Sequence, residues 1–205
     1  MTTFAGFDVL TMHPIKVSDA SDAFDRQTAV VANATGRWRV EPHSPIPQVT
    51  RSFLWRLRSR ADITALEAFL AARQGRAVPC WVPSWRAAFT VLARDAGTWV
   101  PLRVQGTNYA DEAIWQRPGR RHWAVISPTG TMVGPYDTYD AVNNGDGTQT
   151  ITLITNDALP SLVGWMMCPV FLARLASDTV SVLWERPDVG TATLPFVDIP
   201  PDTPL

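Results

Sequence analysis

Three histidines are the residues of this sequence best suited to acid–base or metal chemistry: His13, His43 and His122. None has a second histidine or a carboxylate at helical spacing, which a metal site or a catalytic pair on one helix face needs. The sequence also lacks a G-x-S-x-G elbow, a Gly-rich phosphate loop and an H-E-x-x-H motif. We therefore expect no catalytic residues and a protein that is not an enzyme.

The two cysteines, Cys80 and Cys168, lie far apart, and each is next to a proline. Neither belongs to a C-x-x-C motif or a Cys/His cluster, so the sequence predicts two buried free thiols and no zinc site.

One loop is rich in oxygen ligands and is a candidate for calcium binding. Its carboxylates and amides are Asp137, Asp140, Asn143, Asn144 and Asp146. Their spacing differs from that of a calcium loop, and no glutamate follows. Because Asn-Gly and Asp-Gly tolerate the positive φ of tight turns, residues 143–147 instead predict a hairpin turn. We expect no metal and no cofactor.

Charged residues form two segments of opposite sign. The acidic segment near the N-terminus holds Asp19, Asp22 and Asp25. The basic strip holds Arg51, Arg56, Arg58 and Arg60, and Arg73 and Arg76 extend it. One interpretation is a solvated polar surface; the other is a contact between identical subunits, since arginine pairs with carboxylates through two hydrogen bonds. Under the second, the candidate interface residues are Asp19, Asp22, Asp25, Arg51, Arg56, Arg58, Arg73 and Arg76.

The composition excludes several classes of protein. The 205 residues carry 18 basic and 19 acidic side chains, with 46% hydrophobic and 18% charged residues. Such a chain can bury a core and is not intrinsically disordered. Its net charge of −1 argues against a polyanion-binding protein, so we expect no sequence-specific nucleic acid binding. No apolar run approaches a membrane span of about 18 residues. The first residues lack a signal-peptide pattern, and we expect a soluble protein made in the cytoplasm.

Tryptophan and arginine are unusually frequent. Nine residues are tryptophan, and Lys16 is the only lysine among the basic residues. Both types are enriched at the centres of protein interfaces, although a GC-rich genome also favours arginine codons. The tryptophans are Trp38, Trp55, Trp81, Trp85, Trp99, Trp115, Trp123, Trp165 and Trp184. Packing in cores and interfaces is the main interpretation, and a carbohydrate-stacking platform is the alternative.

The hydrophobic pattern predicts a mainly β fold with one helix. In residues 49–58, Phe53, Trp55 and Leu57 alternate with arginines, as in a half-buried strand. A helix is predicted over about 63–74, capped by Asp62 or Thr64 and ended by Gly75. Further strands are predicted at 87–93, 99–105, 122–127, 149–155, 168–175, 180–185 and 192–199, with 78–85 as an edge or connection. We expect a β-sandwich with one docked α-helix, in a single domain 1–205 with a candidate inserted β-rich subdomain at about 94–165.

Segments at both ends of the chain resemble one protein family. They are 36–42 (GRWRVEP), 53–58 (FLWRLR), 63–77 (ITALEAFLAARQGRA), 78–85 (VPCWVPSW), 170–178 (VFLARLASD) and 194–200 (LPFVDIP). These segments resemble distal tail (Dit-like) baseplate proteins of long-tailed bacteriophages and gene transfer agents. The resemblance covers about half of the chain and leaves 94–165 unmatched.

The resemblance implies a structural virion protein in the phage tail tip. Proteins of that group form a ring, typically hexameric, that joins the tail tube protein to the baseplate hub protein. A middle region of the chain could then hold a tail fibre or another tail-tip protein. The family brings no catalytic residues or cofactors. The alternative is a carbohydrate- or receptor-binding tail protein that uses tryptophans in the 99–139 region.

Overall fold

Strands form most of the part of the chain that the structure describes. The computed structural model describes residues 2–14, 21–25, 28–32, 38–42, 48–95, 99–117, 119–155 and 159–199, with backbone only at 28–32 and 38–42. The strands in this part are β1 (Thr3–Phe4), β2 (Phe7–Asp8), β3 (Ser21–Asp25), β4 (Thr28–Ala32), β5 (Trp38–Pro42), β6 (Gln48–Leu57), β7 (Cys80–Pro83), β8 (Phe89–Arg94), β9 (Val100–Gln105), β10 (His122–Ile126), β11 (Met132–Asn143), β12 (Thr148–Ile154), β13 (Met166–Leu175), β14 (Val182–Arg186) and β15 (Val189–Asp198). The helices are α1 (Arg60–Arg73), the one-turn α2 (Asn108–Asp111) and a 3-10 turn (Ile114–Gln116).

The predicted fold class is confirmed. The described residues are mainly β, with one helix of seven or more residues, which is consistent with a β-sandwich and one α-helix. The predicted strands all appear within a few residues of their expected bounds. The strands β1 to β5 and most of β11 were not predicted from the sequence.

The chain forms two compact units, and each is built from two stretches of sequence. Unit 1 takes its described residues from 1–13 and 80–172, and unit 2 from 14–79 and 173–203. The region predicted as an inserted subdomain, 94–165, falls inside the longer stretch of unit 1. Its status as an insertion stays a prediction.

Unit 2 is an antiparallel sheet with α1 against one face. Its strand order is β14–β15–β6–β3, and the end of β13 pairs with β15 beyond β14. Phe53, Trp55 and Leu57 of β6 are buried, as the alternation predicted, and Phe196 of β15 lies beside them. The rings of Phe69 on α1 and Phe196 are 6.5 Å apart, so the apolar side of the helix completes this core.

Helix α1 begins earlier than the sequence predicted. Its N-cap is Ser59, whose Oγ accepts a hydrogen bond from the Asp62 backbone N–H at 3.2 Å. Asp62 is inside the first turn, where its carboxylate accepts the Arg58 N–H at 2.8 Å. The predicted caps Asp62 and Thr64 were therefore wrong, because the Ser59 side chain already caps the first turn by accepting the Asp62 N–H.

Unit 1 is a closed antiparallel sheet. Its pairing follows β8–β9–β12–β11–β10–β13 and returns to β8, because opposite edges of β13 pair with β10 and β8. Apolar side chains from all six strands fill the interior, among them Leu102, Trp123, Ile151 and Met167. Such closure removes the exposed edges that an open sheet would leave.

A buried polar network ties α2 to this interior. The Tyr109 hydroxyl donates to the Arg120 carbonyl at 2.9 Å, and Trp123 Nε1 donates to the Thr138 hydroxyl at 3.1 Å. Tyr109 Oη and Thr138 Oγ1 are themselves 3.2 Å apart. Because each polar group finds a partner, the network fixes the loop before β10 without leaving unpaired donors.

Candidate functional site

The acidic segment is an edge strand of unit 2. Asp22 and Asp25 lie on β3, while Asp19 is outside the described residues. β3 pairs with β6 from Ser21 opposite Ser52 to Asp25 opposite Gln48. This part of the prediction therefore maps to one strand at one edge of the sheet.

Arg51 faces inward from β6 and is 8% exposed. Its guanidinium reaches Asp198 Oδ2 at 2.8 Å on β15 and Asp22 Oδ2 at 3.4 Å on β3. A predicted interface arginine thus joins three strands within the subunit. Removing one partner of such a buried pair leaves an uncompensated charge, so Arg51 has a stabilising role inside unit 2.

Arg73 is also a core residue, at 2% exposed. Its Nη1 donates to the Pro79 carbonyl at 2.6 Å, and its guanidinium lies 5.4 Å from the centre of the Phe69 ring. These contacts hold the chain after α1 against the helix. Arg73 was chosen from the sequence as a surface residue, but the protein buries it.

Arg76, by contrast, is exposed. Its Nε is 3.2 Å from Asp178 Oδ2, and its N–H donates to Asp178 Oδ1 at 2.9 Å. This exposed pair contributes little to folding stability.

Arg56 and Arg58 face solvent, as the alternation along β6 predicted. Arg56 lies 3.4 Å from Glu185 on β14, with both side chains about half exposed. Among the described members of the predicted interface, exposed charges therefore remain at Asp25, Arg56, Arg58 and Arg76. Asp25 lies on the β3 edge, and Arg56 lies near the β14 edge.

Large apolar side chains are exposed on the same two edges. Phe24 on β3 is 68% exposed, and on β14 Leu183 and Trp184 are 71% and 51% exposed. Leu183 and Trp184 are neighbours, so β14 offers an apolar side chain on each face. The sequence contained the signal: Val182, Leu183 and Trp184 are consecutive apolar residues in a short strand, so both faces of the strand carry apolar side chains.

His122 belongs to a polar and aromatic cluster of unit 1. His122 Nδ1 lies 2.8 Å from Asp137 Oδ1, and the His122 ring packs edge-on to Trp81 at 4.7 Å and to Phe4 at 5.7 Å. Trp81 Nε1 donates to the Phe4 carbonyl at 2.8 Å. The cluster therefore holds the N-terminal strand of unit 1 in place. His13 is half-buried in the segment after β2, and His43 is outside the described residues.

The charge of Asp137 is stabilised by its neighbours. Burial raises the pKa of its carboxyl group, but hydrogen bonds and charge from His122 and then Arg121 outweigh burial, and the pKa lies below its ordinary value. This arrangement favours a fixed ion pair at the strand surface.

The two thiols are buried and free, as predicted. Burial raises the pKa of the Cys168 thiol to about 12. A thiol in that state carries almost no thiolate at neutral pH and is a poor nucleophile.

The oxygen-rich segment forms a hairpin, which confirms the turn prediction. Residues Asn144–Gly147 connect β11 to β12, and the Asp146 carboxylate accepts the Thr148 N–H at 3.0 Å. Asp137 lies on β11 beside His122, away from the turn. Within the described ranges, no group of three or more histidine, cysteine, aspartate or glutamate side chains could hold a metal ion.

The tryptophans are mostly buried or half-buried. Trp55, Trp81 and Trp123 belong to the cores, and Trp184 alone is exposed among those with described side chains. In the 99–139 region, Trp99 and Trp115 are half-buried. This placement favours packing over the carbohydrate platform.

In comparisons with known proteins, the sequence matches no family model and no curated protein. Over the residues that the structure covers, no helix is long and apolar enough to cross a membrane. Because Phe24, Leu183 and Trp184 are exposed there, the β3 and β14 edges of unit 2 are the candidate functional surface.

Proposed function

We propose that this chain is a structural, non-enzymatic virion protein of a long-tailed phage tail tip. In this role it is a distal tail protein that forms a hexameric ring between the tail tube protein and the baseplate hub protein. Its partners are further copies of itself, those two proteins and a fibre or other tail-tip protein. The sequence resemblance supplies the setting, and the arrangement of unit 2 supports it.

The observation that carries this proposal is the pair of strands β4 and β5, which no larger sheet supports in the described residues. β3 and β6 pair from Ser21–Ser52 to Asp25–Gln48, and the same two stretches of chain pair again as β4 and β5, from Thr28–Pro42 to Ala32–Trp38. In the described part of the chain, β4 and β5 form a two-stranded sheet that pairs with no third strand.

A two-stranded ribbon has little stability of its own in water. It also presents two open edges, which favours pairing with another chain. A ring of identical subunits supplies such a partner at every position, since each subunit meets the next through different surfaces. The ribbon is therefore expected to gain its support in the assembled tail.

Cryo-electron microscopy of the virion tail tip tests this proposal. The expected result is density for this chain in a ring between the last tube ring and the hub. A tagged copy labelled with antibody gives an independent location in the same particles. Finding the chain at a fibre end or in the capsid would overturn the assignment.

A further inference from the structure

The sheet of unit 2 has β3 at one edge and β14 at the other, and these two edge strands are similar in length and exposure. β3 and β14 are both five residues long, and each pairs on one side only within the described residues. Both are exposed along almost their whole length, on both faces of the strand. Strand edges of this kind bind other strands unless something covers them.

The register places an aromatic side chain on the same face at both edges. Phe24 pairs with Val49, and Trp184 pairs with Gly190. Gly190 lies opposite Leu57 on the face that α1 covers, and Val49 shares that face by the alternation of β6. Phe24 and Trp184 thus lie on the core face of the sheet at its two edges. There, solvent takes the place of the side chains that a further strand would supply.

The opposite face carries complementary charge. Asp25 lies on that face of β3, whereas Arg56 of β6 lies on it two strands from the β14 edge, beside Glu185. β3 itself carries two carboxylates and no basic residue. Near β14, the exposed Arg56, Arg58 and Arg186 outnumber Glu185 and Asp188.

We infer that β3 of one subunit binds beside β14 of a second copy of this chain. In this pairing Phe24 contacts the second copy's Trp184, and Asp25 lies on the face of the joined sheet that carries the second copy's Arg56. The inference rests on the ring proposed above and names its interface. A contact between two different edges leaves the same edges free on the outer subunits. The same contact therefore repeats from subunit to subunit until the ring closes, and all subunits have the same orientation around the ring.

Crosslinking of introduced cysteines tests the pairing. The variant Ala23→Cys/Leu183→Cys places one thiol on each edge, on the face that carries Asp25 and Arg56. Treatment of the concentrated protein with a short bismaleimide should give a ladder of covalent multimers. Cys80 and Cys168 are buried, so the unmodified chain supplies the background.

The controls separate this geometry from others. Each single variant should give no ladder, and Ala23→Cys/Val142→Cys, which places the second thiol at an exposed position of unit 1, should match the single variants. Dimers from Ala23→Cys alone would show edge β3 meeting itself and would overturn the inference. Absence of a ladder, whether the chain associates or stays monomeric, would also overturn it.

The aromatic contact has its own measurement. Phe24→Ser and Trp184→Ser should each weaken self-association by about tenfold or more in Kd, as expected for a central aromatic contact. Tyr139→Ser, which removes an equally exposed aromatic ring from unit 1, should leave the Kd unchanged. Equal effects of all three would refute the pairing. A chain that crosslinks as expected but lies outside the tail tip would refute the proposed function alone.

Discussion

Two buried arginines show that the environment of a charged residue can differ from the one that its sequence neighbours suggest. Arg51 and Arg73 belong to a basic strip, yet the first bridges three strands and the second fills the end of the helix core. Lysine would fit either position poorly, because guanidinium offers several donors in one plane. At this scale the sequence identifies charge, and packing decides whether the charge faces solvent or the interior.

Burial of the Cys168 thiol predicts that the fold loses stability at alkaline pH. Burial raises the pKa of the Cys168 thiol to about 12, above its ordinary value of 9.0. Between these values the unfolded chain loses the thiol proton and the folded chain keeps it. The contribution of this group is therefore fully present below about pH 9 and is lost as the pH rises towards 12, with a slope of up to about 1.4 kcal/mol per pH unit.

Urea unfolding at pH 8 and pH 10.5 measures this effect. The free energy of unfolding of Cys168→Ala should fall less between the two pH values than that of the unmodified protein. Both proteins keep Tyr109, whose pKa burial also raises, so the comparison isolates the thiol. Identical slopes would contradict the assignment.

Turns and close approaches between strands decide the geometry of the elements. Gly134 on β11 has a φ of +98°, and a Cβ there would lie 2.9 Å from the Trp123 carbonyl oxygen. Gly147 in the hairpin turn also has a positive φ, of +82°, but open space surrounds it. Comparing Gly134 with Gly147 therefore separates the cost of a side chain at positive φ from the cost of a steric clash.

Alanine substitution at these positions should cost different amounts of stability. Gly134→Ala should lower the free energy of unfolding by about 2–4 kcal/mol, because both backbone strain and a displaced strand contribute. Gly147→Ala should lower it by about 1 kcal/mol, from backbone strain alone. Chemical denaturation measures both, and equal losses would show that the approach to Trp123 is not limiting.

For the whole molecule, we expect the exposed charge on unit 2 to control the self-association proposed above. Arg56 and Glu185 form an exposed pair, so reversing nearby charges should change folding stability by about 1 kcal/mol or less. The variant Arg56→Glu/Arg58→Glu should instead reduce the mass measured by light scattering at high concentration. The thermal unfolding midpoint should stay close to that of the unmodified protein.

A rescue variant makes this prediction specific. Adding Asp25→Arg to the reversed pair should restore association, because the complementary signs are exchanged between the two edges. Arg117→Glu/Arg120→Glu reverses two exposed charges of unit 1 and should leave association unchanged. A loss that Asp25→Arg does not rescue would point to a contact elsewhere.

The sequence by itself determined the mainly β fold, the single long helix, most strands and the hairpin turn. Alternation along β6 and the Asn-Gly and Asp-Gly steps are local signals, and local signals survive without knowledge of the fold. The sequence also identified an acidic and a basic segment, though not which of their side chains face solvent.

Only the tertiary structure decided which residues form the candidate surface. Burial of Arg51 and Arg73 depends on partners such as Asp198 and Pro79, and Asp198 lies 147 residues from Arg51. The exposure of Phe24 and Trp184 depends on β3 and β14 being the outer strands of one sheet. Strand order comes from pairings between distant parts of the chain, so neither burial nor an open edge can be read from a residue and its sequence neighbours.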